Sequence, residues 1–142
     1  VYTEGETIAA KKVSDLKERV RIVNETEKAV LISIHQNYFS DNRYSGAQVF
    51  YADTPGSQEL ATALQTGFTA NLSPDNHRKA KNAQGVYLME HIGCSGILIE
   101  CGFLSNPQEE ALLRQEDYQK KLSCVIAAVC STYLANIPGQ TA

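Results

Sequence analysis

A chain of 142 residues with 43% apolar residues and a formal net charge of −3 has the size and composition of one compact domain, able to bury a core without disulfide staples. Its 13 basic residues are scattered and not interleaved with aromatics, which argues against a nucleic-acid-binding surface. No apolar stretch is long enough to span a bilayer; the longest, around "CVIAAVC", lies near the C-terminus.

The first residues, "VYTEGETIAAKK", lack an initiating Met and the basic start and apolar run of a secretory signal, so the chain reads as a processed or excised piece. Between Ala9 and Glu25, Val13, Leu16, Val20 and Val23 recur at helical spacing, with Lys, Glu and Arg forming an outer face. "AVLISI" then reads as a strand, "HQNYFSDNRYSG" as a polar loop and "AQVFYA" as a second strand. "TPGS" precedes a helix with Leu60, Leu64 and Phe68 on one face, and "NLSPDNHRKAKNAQG" is loop by composition. "VYLMEH" is short and ambiguous between helix and strand, whereas "GILIECGF", bounded by glycines, reads as a buried strand. "SNPQEE" opens a helix: Asn106 caps it, Pro107 supplies a preset φ, and Glu109 stands where a capping-box acid belongs. A final helix, from about Asp117 to Ala135, turns Leu122, Val125, Ile126, Val129 and Tyr133 inward.

Apolar strands alternating with amphipathic helices indicate an α/β domain with a mostly parallel sheet flanked by helices on both faces. Such sheets bind ligands outside the carboxyl ends of their strands. Here "LISI" ends at His35 and "GILI" ends at Glu100, so two strands deliver polar groups to one sheet edge. A carboxylate after four apolar residues is costly to bury without a partner. Glu100 is therefore either held by a nearby Arg or the amides of "CGFLSN", or is a general base with a raised pKa. Paired with an imidazole, the second reading suggests a metal-water hydrolase, His35 holding zinc and Glu100 taking a proton from the bound water.

Smaller features read more plainly. His77 and His91 read as solvent-facing, and "DNR" and "DNHRK" read as ordinary solvated turns in preference to substrate clamps. Tyr38, Phe39 and Tyr44 either stack on a sugar ring or cap local packing. The four cysteines form no CxxC pair, which argues against a zinc ribbon or a thioredoxin-like motif. Cys124 and Cys130 read as small buried hydrophobes in the last helix, and the even count leaves disulfides open. Cys101 with His35 would make a cysteine hydrolase, but the adjacent Glu100 raises the thiol pKa and strand alternation turns Cys101 to the other face.

Taken in order, "DLKERVRIVNE", "LISIHQNYFSD", "GAQVFY" and "ILIECGFLSNPQEEALL" resemble successive blocks of the zinc-dependent N-acetylmuramoyl-L-alanine amidases, the amidase-3 family of cell-wall hydrolases and sporulation amidases. The resemblance runs across nearly the whole chain. It implies a secreted, autolysin-type hydrolase of the cell envelope. Its substrate would be peptidoglycan, cut at the amide between the lactyl group of N-acetylmuramic acid and L-alanine. Residue by residue, His35 matches the family's last zinc-binding histidine, within "SIHQN", and Glu100 matches its catalytic glutamate, within "ECGFLSN". Asn37 matches the asparagine beside the metal histidine, and Arg78 falls in the segment that lies near the substrate, so both are implied substrate-binding residues.

The family's opening strand, with a glycine-flanked histidine and a later glutamate as the other zinc ligands, has no counterpart here. The expectation is one catalytic-type domain over residues 1–142 that lacks its N-terminal strand-helix portion and is inactive alone. A complementing N-terminal segment or second chain would supply the remaining ligands to Zn2+. The competing expectation is a non-catalytic module that binds peptidoglycan or a partner.

Overall fold

The computed structural model describes residues 5–136, which form five helices and four strands. Helix α1 (Ile8–Glu25) starts at Thr7, whose Oγ1 accepts the Ala10 N–H at 3.1 Å as an N-cap. Strand β1 (Val30–Asn37) and, much later, strand β4 (Ser95–Phe103) pair in parallel. Strand β2 (Gln48–Tyr51) runs antiparallel to β4 and parallel to β3 (Lys81–Asn82), giving the sheet order β1-β4-β2-β3. Two of the three pairings are parallel, as the apolar strand runs predict. Strand β3 falls inside the stretch read as loop; two residues are too short to carry a periodic signal.

Helices cover both faces of the sheet. On one, Val49, Ile97, Ile99 and Cys101 pack against Leu60, Leu64 and Phe68 of α2 (Ser57–Asn71), Leu113 of α4 (Pro107–Leu113), and Leu122 and Ile126 of α5 (Glu116–Ala135). On the other, Leu98 with Leu31 and Phe50 packs against Met89 of α3 (Tyr87–His91) and Val23 of α1. The ambiguous "VYLMEH" is therefore helical.

Two sequence expectations need correction. Helix α1 forms where its periodicity places it, yet buries no residue fully, and Val13 is exposed. Its anchorage is at its end, where Asn24 Nδ2 donates to the His91 carbonyl and Asn24 Oδ1 accepts the Gly93 N–H. Cys130 is buried as expected, but Cys124 is exposed, because Leu122, Ile126 and Cys130 define the inward row at four-residue spacing and Cys124 lies off it. All four cysteines are free thiols.

The connection into α2 is tight. Gly56 has φ +80°, and a Cβ there would lie 2.0 Å from the Tyr133 hydroxyl. The next residue, Ser57, is fully buried and its Oγ accepts the Gly96 N–H at 2.9 Å, tying the start of α2 to β4. At the opposite side of the sheet β1 is an edge: it pairs with β4 and with no other strand among the described residues, and its Ile34 is 58% exposed.

Candidate active site

Because β1 and β4 are parallel, their carboxyl ends reach the same edge of the sheet, and His35 and Glu100 are direct cross-strand partners. The antiparallel β2 brings its first residue, Gln48, opposite Glu100 on the other side. His35, Glu100 and Gln48 thus form one rung and project to one face of the sheet. Immediately beyond it the register slips: Asn37 pairs with Phe103, so β4 spends one extra residue, at the Cys101-Gly102 step. The Asn37 carbonyl accepts the Leu104 N–H at 2.8 Å, closing the two strands past the bulge.

Glu100 is half-buried, and its Oε2 is shielded from solvent with no hydrogen-bond partner among the described residues. Burial raises its pKa above the ordinary carboxylate value, and the neighbouring His35 pulls in the opposite direction. Neither an arginine nor the amides of "CGFLSN" satisfy that oxygen, so the purely structural explanation of a carboxylate at this strand end fails for it. His35 is exposed, with Nε2 2.8 Å from Ser33 Oγ, its neighbour two residues back on the same face.

A second layer of polar contacts lies behind this rung. The Gln48 side chain is buried; its Nε2 donates to the Lys79 carbonyl at 2.9 Å and its Oε1 accepts from Arg78 Nη1 at 2.9 Å. Arg78 Nε donates to the Ser45 carbonyl at 2.6 Å, and the guanidinium lies 4.7 Å from the Phe103 ring centroid and 5.9 Å from that of Tyr44. Tyr44 in turn meets the edge of Phe39 at 4.7 Å between centroids. The aromatics of the loop after β1 are thus partly engaged in packing around Arg78, while Tyr38 is 73% exposed.

Beside the rung opens a groove of about 1140 Å³, walled by residues of the 41–46 loop, the 73–78 loop and the first turn of α4. His35 and Glu100 do not line it; the Arg78–Gln48 hydrogen bond joins the two. The "DNR" segment is a solvated turn, with Asp41 accepting from the Arg43 backbone and guanidinium. "DNHRK" is more than a turn. Asn76 is buried, donating to the Ala47 carbonyl at 2.8 Å and accepting the Arg78 N–H at 3.1 Å, while His77 is exposed. A Cβ on Gly46, at φ +94°, would come within 2.8 Å of Asn76 Oδ1, so the close approach of the two loops requires glycine there.

Asn106 caps α4 as expected, its Oδ1 accepting the Gln108 and Glu109 N–H groups. Its Nδ2 reaches across to the Asn42 and Tyr44 carbonyls. Glu109 does not close a capping box. Its carboxylate instead accepts the Gly46 N–H at 2.7 Å and the Phe103 N–H at 2.8 Å, binding the groove loop to the end of β4. No sequence reading links Gln48 or Glu109 to the site, and Asn76 lies in the "DNHRK" stretch, which reads as a turn in preference to a substrate clamp. The available signal, a polar residue at the start of an apolar strand, marks Gln48 alone.

Cys101 lies in the core on the opposite face from Glu100, and burial, followed by the Glu100 charge, pushes its thiol up to about 11. A thiol so placed is a poor nucleophile. Among the described residues no group of three or more His, Cys, Asp or Glu gathers to hold a metal ion. His35 offers one imidazole and Glu100 one unsatisfied buried oxygen. A catalytic zinc takes three protein ligands and a water, so these residues fit part of such a set.

A family profile described as N-acetylmuramoyl-L-alanine amidase matches residues 2–130. The germination-specific N-acetylmuramoyl-L-alanine amidase of Bacillus subtilis strain 168 is 41% identical over 117 residues, covering 82% of this chain and 49% of that protein. The chain thus spans about half the length of this curated relative. Among solved structures, the CwlD amidase of Clostridioides difficile, determined in complex with the GerS lipoprotein, superposes with a TM-score of 0.88 at 35% identity, covering 95% of this chain and 70% of that one. An N-acetylmuramoyl-L-alanine amidase from Clostridium difficile 630 does so with a TM-score of 0.78 at 31% identity, over 85% of this chain and 66% of that one. With its profile match, its fold and its order of motifs in agreement, the chain belongs to the N-acetylmuramoyl-L-alanine amidase family.

Proposed function

We propose that this chain carries the base-bearing part of a cell-envelope amidase that hydrolyses the bond between the lactyl group of N-acetylmuramic acid and L-alanine in peptidoglycan. The observation that carries the reading is the unsatisfied, buried Oε2 of Glu100 one strand away from His35. Glu100 accepts the proton of the attacking water and passes it to the departing L-alanine nitrogen, a poor leaving group until protonated. Its strand end fixes the carboxyl, and its burial keeps it basic enough for the task. His35 is one protein ligand of a zinc ion, with Asn37 closing the strand end behind it and Arg78 lining the substrate groove. When bound, zinc lowers the pKa of its water and polarises the scissile carbonyl.

The remaining zinc ligands come from polypeptide outside these 142 residues, an N-terminal segment or a second chain that adds along the free edge of β1. The support is the β1 edge left unpaired among the described residues, with its exposed Ile34, and a curated relative of which the match covers 49%. The incomplete ligand set also favours a second reading for the isolated chain, a module that binds peptidoglycan without cutting it.

The test is hydrolysis of a muropeptide followed by mass spectrometry. The chain completed by the missing segment should release peptide with a free L-alanine amine, and Glu100→Gln in that assembly should cut release about 10²–10⁴-fold. Binding without release by the completed assembly would establish the second reading.

A further inference from the structure

We infer that the groove between the 41–46 loop and α4 receives the peptide arm of the substrate, with Arg78 Nη2 binding a carboxylate on that arm and Glu109 positioning the groove wall. The identity of the arm rests on the amidase reading; the carboxylate preference does not.

Arg78 is held before any ligand arrives. Its Nε and Nη1 donate to Ser45 and Gln48, and its Cζ lies over the Phe103 ring. Nη2 makes no hydrogen bond among the described residues, and Arg78 lines the groove, so a guanidinium held at Nε and Nη1 keeps a free donor for a ligand there. A half-buried, preorganised Arg loses little side-chain freedom on binding and matches a carboxylate better than an ammonium would. The other charges of the groove wall are largely committed. Asp41 is engaged by Arg43, and Glu109 accepts two backbone N–H groups. Asp75 also lines the groove, which disfavours a polyanion and suits a peptide with one well-placed carboxylate. Glu109 acts through others: by fixing Gly46 and Phe103 together it sets the distance between the loop and the ring on which Arg78 rests.

The experiment compares two probes on the metal-free chain by nuclear magnetic resonance titration: muramoyl-L-alanyl-D-glutamate and the same compound with both glutamyl carboxyls amidated. The acid should bind about ten-fold tighter and shift the Arg78 Nε–H signal. Arg78→Gln should erase that preference. Glu109→Ala should weaken both probes together and broaden the Arg78 signal, with partial recovery in Glu109→Gln, which keeps one acceptor oxygen. Equal affinity of the unmodified chain for acid and diamide would overturn the assignment, and so would a preference that survives Arg78→Gln. Hydrolysis by the completed enzyme that ignores the carboxyls would also overturn it and leave the amidase reading standing. An intact carboxylate preference without any hydrolysis by the completed enzyme would count against the amidase reading alone.

Discussion

His35 and Glu100 stand side by side on neighbouring parallel strands, so two residues far apart in the chain reach the same sheet edge at the same height. The imidazole is exposed and the carboxyl half-buried, an asymmetry that suits the proposed roles of His35 as metal ligand and Glu100 as general base.

Glu100→Gln separates these roles from stability. The amide is isosteric but cannot accept a proton, so turnover by the completed enzyme should fall about 10²–10⁴-fold. Because a neutral amide is less costly to bury than a carboxylate, the thermal midpoint should hold or rise. Turnover assays and thermal melts on the same preparations check both halves.

The thiols offer an independent check on the nucleophile. Cys124 is exposed, whereas Cys101 is buried with its thiol near 11. Iodoacetamide on the native protein should therefore label Cys124 and spare Cys101, and the completed enzyme should keep its activity. Peptide mapping by mass spectrometry locates the label. A chelator, by contrast, should abolish activity.

The turn before α2 predicts a measurable strain. Gly56→Ala places a side chain at φ +80° and drives its Cβ into the Tyr133 hydroxyl, which also lies 3.2 Å from Ser95 Oγ. The backbone alone should cost about 1–3 kcal/mol in chemical denaturation. Adding Tyr133→Phe removes the obstructing oxygen, so the double variant should be less destabilised than the sum of the single ones.

Toward the other end of α2, Phe68 has no exposed surface within the core formed with α5 and the sheet. Phe68→Ala should cost about 3–5 kcal/mol by lost burial and cavity formation. Urea unfolding with an unchanged slope would confirm that the loss lies in the folded core.

The sequence was most informative where a residue's setting is local. The apolar run before Glu100 announces a buried strand and the one before His35 announces a strand though not its edge position, and Asn106 before Pro107 announces a helix start. Contacts between distant segments were not legible. Glu109 occupies a capping-box position, but its two acceptors are claimed by Gly46 and Phe103, which only the assembled fold brings near. Gln48 reads as an ordinary strand residue until the antiparallel register sets it opposite Glu100. The periodicity of α1 fixed its helical state but not its burial, since burial depends on what packs against it.

The most direct measurement is zinc stoichiometry and muropeptide hydrolysis by residues 1–142 alone, then with a segment bearing the further ligands added. The expected result is weak zinc binding and no turnover by the chain alone, with both stoichiometric zinc and Glu100-dependent turnover appearing on addition. Tight stoichiometric zinc with full hydrolysis by the chain alone would contradict it.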